Sequence, residues 1–214
     1  MSGHQQFFSD LLRKTELAYE ASEIKSRGLF YSVCATPIHL NSTLILGFNW
    51  GGNEQHPQLE NEMPSIPFKS IGSLGSMKRT IKYFEKHIPD CDPATIVQSN
   101  FCFFRSPKES DISQGDIDLS APLFESFLQY VCPQRVISFS SRLKEYLYTN
   151  NRITKTDSPL IESGRNKFVA SKGSLSVNDG SIPIFFLPHP NYPITSVARK
   201  MAWEYCFPNK NIQL

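Results

Sequence analysis

Apolar positions along the chain recur with two periods. Between residues 5 and 26, Phe8, Leu11, Leu12, Ala18 and Tyr19 fall at helical spacing with most charges opposite them, which predicts an amphipathic helix over 5–26. Four short runs rich in β-branched and aromatic residues follow: TLILGFN (43–49), TIVQSNF (95–101), RVISF (135–139) and IPIFFL (182–187). Each is strand-length and apolar enough to be covered on both faces. Helical patterns lie between and after them, at 74–87, 121–131, 141–149 and 194–207. This alternation predicts one α/β domain over 1–214, a three-layer α/β/α arrangement on a four-stranded, mostly parallel sheet. Two polar stretches, 50–70 and 150–181, break the rhythm and read as long inserted loops.

Composition narrows the class. Hydrophobic residues make up 40% of the 214-residue chain, with 16 Phe, 8 Tyr and 2 Trp, enough for a sizeable core and too many for a disordered chain. The formal net charge of +2 excludes a protein that coats nucleic acid by bulk charge, but not one with a local basic groove. The cysteines, Cys34, Cys91, Cys102, Cys132 and Cys206, are odd in number and form no CxxC pair. They read as reduced thiols rather than a zinc site or disulfide framework. With no signal-peptide pattern and no apolar run of about 18 residues, the expectation is an intracellular protein away from membranes, cytoplasmic in a bacterium and nuclear in a eukaryote.

Ligands of open α/β sheets bind beyond the carboxyl ends of the strands, so the residues just after each apolar run are the ones to inspect. They are Asn49-Trp50-Gly51-Gly52, Asn100-Phe101-Cys102, Ser138-Phe139-Ser140 and Pro188-His189-Pro190-Asn191-Tyr192-Pro193. Taken singly, Asn49 and Asn100 read equally as turn or cap residues, and His189 as a structural histidine. Taken together, two amides and an imidazole can hydrogen-bond a planar heterocycle, hold a water and stabilise developing negative charge.

The segments L-G-F-N-W-G-G (46–52), N-F-C (100–102) and L-P-H-P-N-Y-P (187–193) resemble, in that order, the motifs of the uracil-DNA glycosylase superfamily. The single-strand-selective monofunctional branch is the most similar, having Asn in the first motif. The resemblance implies that Asn49 holds the attacking water, Asn100 reads the Watson–Crick edge of a flipped base and His189 donates to its carbonyl oxygen. It also implies that Phe68, in I-P-F-K (66–69), stacks on the base, with ordinary core packing as the competing reading. Trp50 and Gly51 would line the base pocket, while Asn191, Tyr192 and Pro193 would brace the duplex. Ser140, and Arg199 with Lys200 at the last helix, would meet DNA. The implied activity is hydrolytic release of uracil or a related modified pyrimidine from DNA by a monomer with no metal or organic cofactor, leaving an abasic site.

The chain also departs from that pattern. Trp50 stands where the superfamily usually has proline, and the insertion starting at Gly51-Gly52 lengthens the interval to Phe68, which alters the pocket. Asn49 cannot accept a proton, so water activation is weaker than in branches with Asp. Arg105 reads either as a contact to phosphate or a substituted base, or as a surface ion pair. Glu54, His56, Glu60 and Glu62 match no metal-ligand spacing. Arg152, Lys155, Arg165, Lys167 and Lys172 outnumber Asp157, Glu162 and Asp179 across 150–181, which suits a DNA groove or a solvated loop. Three other functions stay open: excision of a bulkier modified or damaged base, a non-catalytic DNA-binding module, and an unrelated α/β enzyme or small-molecule binder.

Overall fold

A computed structural model describes residues 3–51, 62–71, 77–178 and 180–208. Its elements in chain order are α1 (Gly3–Glu20), α2 (Glu23–Ser26), β1 (Thr43–Trp50), α3 (Lys78–His87), β2 (Val97–Arg105), α4 (Gln114–Val131), β3 (Arg135–Ser138), α5 (Ser141–Thr149), β4 (Ile153–Asp157), β5 (Leu160–Ser163), β6 (Asn166–Val169), β7 (Ser171–Val177), β8 (Gly180–Phe186) and α6 (Ser196–Cys206). The chain is an α/β protein with a mixed sheet of six strands, in the order β2-β1-β3-β8-β7-β4, and a separate β5-β6 hairpin.

The four strands expected from the apolar runs are adjacent and mutually parallel: β1 pairs with β2 and β3, and β3 with β8. The sheet is nonetheless not four-stranded, because β7 and β4 add to it antiparallel beyond β8. Both added strands, and the β5-β6 hairpin, come from 150–181, the stretch read as an inserted loop. That stretch is polar because its strands are partly solvated; β5, for example, buries only Ile161 deeply. A Cβ at Gly173 would meet the Thr154 carbonyl oxygen at 2.7 Å, so the approach of β4 to β7 depends on glycine there.

Alternate side chains of β1 enter different clusters, as the two-residue strand period requires. Leu44, Leu46 and Phe48 join Phe8 and Leu11 of α1, Phe124, Phe127 and Leu128 of α4, and Leu143 and Leu147 of α5. Ile45 joins Phe84 of α3 and Ala198, Ala202 and Trp203 of α6. Each large side chain so buried is worth roughly 1.5–3 kcal/mol.

Helix boundaries follow the caps. The helix expected over 5–26 breaks into α1 and α2, because Ser22 Oγ accepts from the Lys25 amide and the Glu23 amide donates to Asp116 Oδ1. The helix expected from 121 starts at Gln114, where Ser113 and Asp116 form a reciprocal capping box. Helix α5 spans the expected 141–149, with Ser140 as its N-cap. Of the pattern at 74–87, residues 72–76 lie outside the described residues and α3 begins at Lys78. No described helix is long and apolar enough to cross a membrane.

Candidate functional site

The parallel strands β2, β1, β3 and β8 carry their carboxyl ends to one edge of the sheet. A cavity of about 850 Å³ opens there, lined by Asn49, Trp50, Gly51, Asn100, Ser140 and His189 among others. Six of the residues singled out from the sequence thus meet at one site.

Asn49 is half-buried near the end of β1. Its Nδ2 donates to the Trp50 carbonyl oxygen (3.0 Å) and to Ser106 Oγ (2.8 Å). The Ser106 hydroxyl hydrogen is committed to the Lys108 carbonyl oxygen at 2.6 Å, so Ser106 Oγ can only accept from Asn49. This chain of bonds fixes the amide's orientation and leaves Asn49 Oδ1 as an acceptor with no donor among the described residues. Nothing in the sequence pattern singles out Ser106, which lies 57 residues away from Asn49.

Asn100 is not a strand-terminal residue. The apolar pattern runs on through Phe101–Phe104, so β2 continues to Arg105 and Asn100 stands within it. It is paired in register with Gly47, and its Oδ1 lies 2.0 Å from where a Cβ at Gly47 would be. The side chain therefore lies across the bare backbone of β1, on the face that Gly47 shares with Asn49 by strand alternation. Asn100 is only 6% exposed, lines the cavity and makes no side-chain hydrogen bond within the described residues. A buried amide with both donors and its acceptor unused is equipped to bind a heterocycle edge. Cys102, two residues on, is no competing nucleophile, since burial pushes its thiol up to about 12.

His189 follows β8 in the loop 188–193. Its Nδ1 accepts from the Asn191 amide at 3.2 Å, which leaves Nε2 carrying the hydrogen of the neutral ring. Burial lowers its pKa below the ordinary 6.5; nearby Arg199 lowers it further, and Glu109 opposes the shift. The neutral imidazole is therefore the resident form near neutrality, a donor through Nε2–H.

Arg199 is turned into this loop. Its Nη1 donates to the carbonyl oxygens of Pro188 (3.3 Å) and His189 (2.9 Å), and its Nη2 to that of Tyr192 (2.8 Å). The loop is also tied to the β5-β6 hairpin. Asn166 Nδ2 donates to the Pro193 carbonyl oxygen at 2.6 Å, and the Tyr192 hydroxyl to that of Lys167 at 3.0 Å. Tyr192 packs near Phe168, while Asn191 and Pro193 are exposed. Ser140, besides capping α5, donates to Glu109 Oε1 at 2.9 Å on the cavity wall. Lys200 faces Glu204 one helical turn along. Phe68 is 2% exposed, packs edge-on against Phe84 and is not among the residues lining the cavity. The structure thus puts its ring in the core, whereas Met63, Pro64 and Ile66 form part of the cavity wall.

All five cysteines are free thiols. Among the described residues no group of three or more His, Cys, Asp and Glu is arranged to hold a metal ion; Gly52, Glu54, His56 and Glu60 lie outside the described residues. No protein-family model matches the chain, and comparison with curated proteins finds no significant match.

Proposed function

We propose that the chain is a monofunctional DNA glycosylase of the uracil-DNA glycosylase type, a three-layer α/β/α domain that hydrolyses the N-glycosidic bond of uracil or a related modified pyrimidine. The observation that carries this reading is the convergence of Asn49, Asn100 and His189 on one cavity with complementary hydrogen-bond polarity. Two core clusters, drawing on opposite faces of β1, support the layered arrangement.

Stacked bases are out of reach of such a cavity, so the target nucleotide is extruded from DNA into it. Asn100 offers its free amide to the polar edge of the base. As the bond between the base nitrogen and C1′ breaks, its electron pair leaves with the base, the sugar gains oxocarbenium character and the base oxygen gains negative charge. His189 Nε2–H donates to that oxygen and lowers the barrier without transferring its proton. Asn49 Oδ1 accepts from a water whose oxygen then bonds to C1′, and the proton the water loses ends on the departing base or in solvent. The products are the free base and an abasic site. DNA is the partner, the protein acts as a monomer, and no step draws on a metal or organic cofactor.

One observation favours a second reading of the substrate. A cavity of about 850 Å³ has far more room than one pyrimidine ring fills, and a stacking ring at Phe68 is absent from its described lining, which supports a bulkier base as the substrate. A single-turnover assay tests both readings, using labelled single- and double-stranded oligonucleotides that carry uracil or a substituted pyrimidine, with alkali to reveal abasic sites. Cleavage by the parent that falls by about two to three powers of ten in His189→Ala, and also falls in Asn49→Ala, is the expected result. Undiminished cleavage in both variants, or DNA binding with no product from any base, overturns the assignment.

A further inference from the structure

The role of Arg105 is not explained by the chemistry above. It is the last residue of β2, and a register irregularity brings it to the cavity. Asn49 pairs with Cys102, yet the next residue, Trp50, pairs with Arg105, so β2 carries two extra residues at that point. Bulges of this kind re-aim side chains beside functional sites. The local backbone is firmly held: the Arg105 amide donates to the Phe30 carbonyl oxygen at 2.7 Å and the Ser106 amide to that of Trp50 at 3.0 Å.

The side chain, by contrast, has no partner among the described residues. Its Nε is sealed from solvent without a hydrogen bond, and no carboxylate of the described residues lies within ion-pair distance. Among the described residues lining the cavity it is the one Arg or Lys. Glu109 on the same wall is engaged by the Ser140 hydroxyl instead. A planar guanidinium with unused donors, facing a cavity with room to spare, matches an oxyanion in a bidentate fork.

We infer that Arg105 is an oxyanion-recognising specificity residue, and that the ligand of this cavity presents to it either a carboxylate carried on a pyrimidine ring or the phosphate of the same nucleotide. The inference rests on the cavity being a base site and leaves the mechanism of bond cleavage aside. The test is therefore equilibrium binding, by calorimetry, to the full chain and to Arg105→Gln and Arg105→Lys. The probes are uracil, uracil-5-carboxylate, uracil-6-carboxylate, deoxyuridine and its 3′- and 5′-monophosphates.

The expected result is that one oxyanion-bearing probe binds at least about tenfold tighter than its neutral parent. That gain should vanish in Arg105→Gln and survive in part in Arg105→Lys. A gain confined to the ring carboxylates identifies the base as its source, and a gain confined to the monophosphates identifies the nucleotide backbone. Equal binding of charged and neutral probes, or a gain that Arg105→Gln leaves intact, overturns the inference while the base-site reading stands. Equal loss of every probe in both variants, with unfolding midpoints shifted, also overturns it by making Arg105 structural. Arg105-dependent binding of oxyanions without any uracil or deoxyuridine binding would leave Arg105 an oxyanion contact but overturns the inference together with the base-site reading it rests on.

Discussion

Replacing Gly47 with alanine tests the core of the site without replacing any side chain proposed to act in it. The new Cβ would stand 2.0 Å from Asn100 Oδ1 and 3.2 Å from its Cγ, whereas ordinary contact begins at 3.4 Å. The Asn100 oxygen must therefore retreat by about 1.4 Å. Because it is the far end of a side chain, the fold yields by rotating that amide, at a cost of about 0.5–1.5 kcal/mol for an off-rotamer χ. Function does not yield in the same way, since a misplacement of about 1 Å at a reacting site costs roughly 100-fold in rate. Urea unfolding and single-turnover excision, measured on the same preparations of Gly47→Ala, should thus diverge: near-parental stability with activity down by about 100-fold or more. Asn100→Ala removes the obstructing amide, so the double variant should be more stable than the sum of the singles by about 0.5–1.5 kcal/mol. Near-parental excision by Gly47→Ala, or stability effects that add within about 0.3–0.5 kcal/mol, would refute the close approach and the role built on it.

Other residues give sharper tests of individual contacts. Ser106→Ala removes the acceptor that orients the Asn49 amide, and excision should fall by up to about tenfold, the worth of one hydrogen bond; a parental rate would show that Asn49 needs no such support. Arg199→Ala frees three loop carbonyls and should cost about 1–3 kcal/mol of unfolding free energy. It should leave the salt dependence of DNA binding unchanged, whereas a slope lower by about one would make Arg199 a phosphate contact after all. Both His87 nitrogens are buried without partners among the described residues, and burial holds its pKa below 6.5. The unfolded chain therefore takes up the proton first as pH falls, and the stability present above about pH 6.5 is lost as pH drops through the folded pKa. His87→Phe keeps a ring against Tyr83 and Trp203, so the drop in urea midpoint between about pH 7.5 and pH 5 should shrink; an unchanged drop would trace the acid sensitivity to other groups.

The strands that make the site were legible because they are apolar and short, and α5 because its cap and periodicity coincide. Strands β4 to β7 were not, since antiparallel strands with a solvated face read as polar sequence, and SKGSLSV in β7 shows no run of apolar residues. At the site, residue type marked Asn49, Asn100 and His189, but the supports of each come from afar. Ser106, one residue past β2 and 57 residues along the chain, orients Asn49, and Arg199 reaches back from α6 to the His189 carbonyl. Gly47 lay within a recognised motif, yet its purpose emerges only from the register that sets it against Asn100. Phe68 reads either as a stacking ring or as core from its neighbours in sequence, and the structure packs it against Phe84.

The bonds from the β5-β6 hairpin to the loop 188–193 have a consequence for durability. A two-stranded ribbon contributes little stability of its own, yet Asn166 and the Lys167 carbonyl hold Pro193 and Tyr192, and Ser163 Oγ accepts from the Thr195 amide at 2.7 Å. This two-stranded unit is thus clamped to the segment that aims His189. On warming, the ribbon should open while the six-stranded sheet is still intact, and activity should disappear several degrees before the far-ultraviolet dichroism changes. Coincident transitions would mean that ribbon and sheet melt as one. With the ribbon opening first, the working lifetime of the protein would be set by its thinnest part, and lengthening it would be a matter of reinforcing ten residues, 160–169, rather than the core.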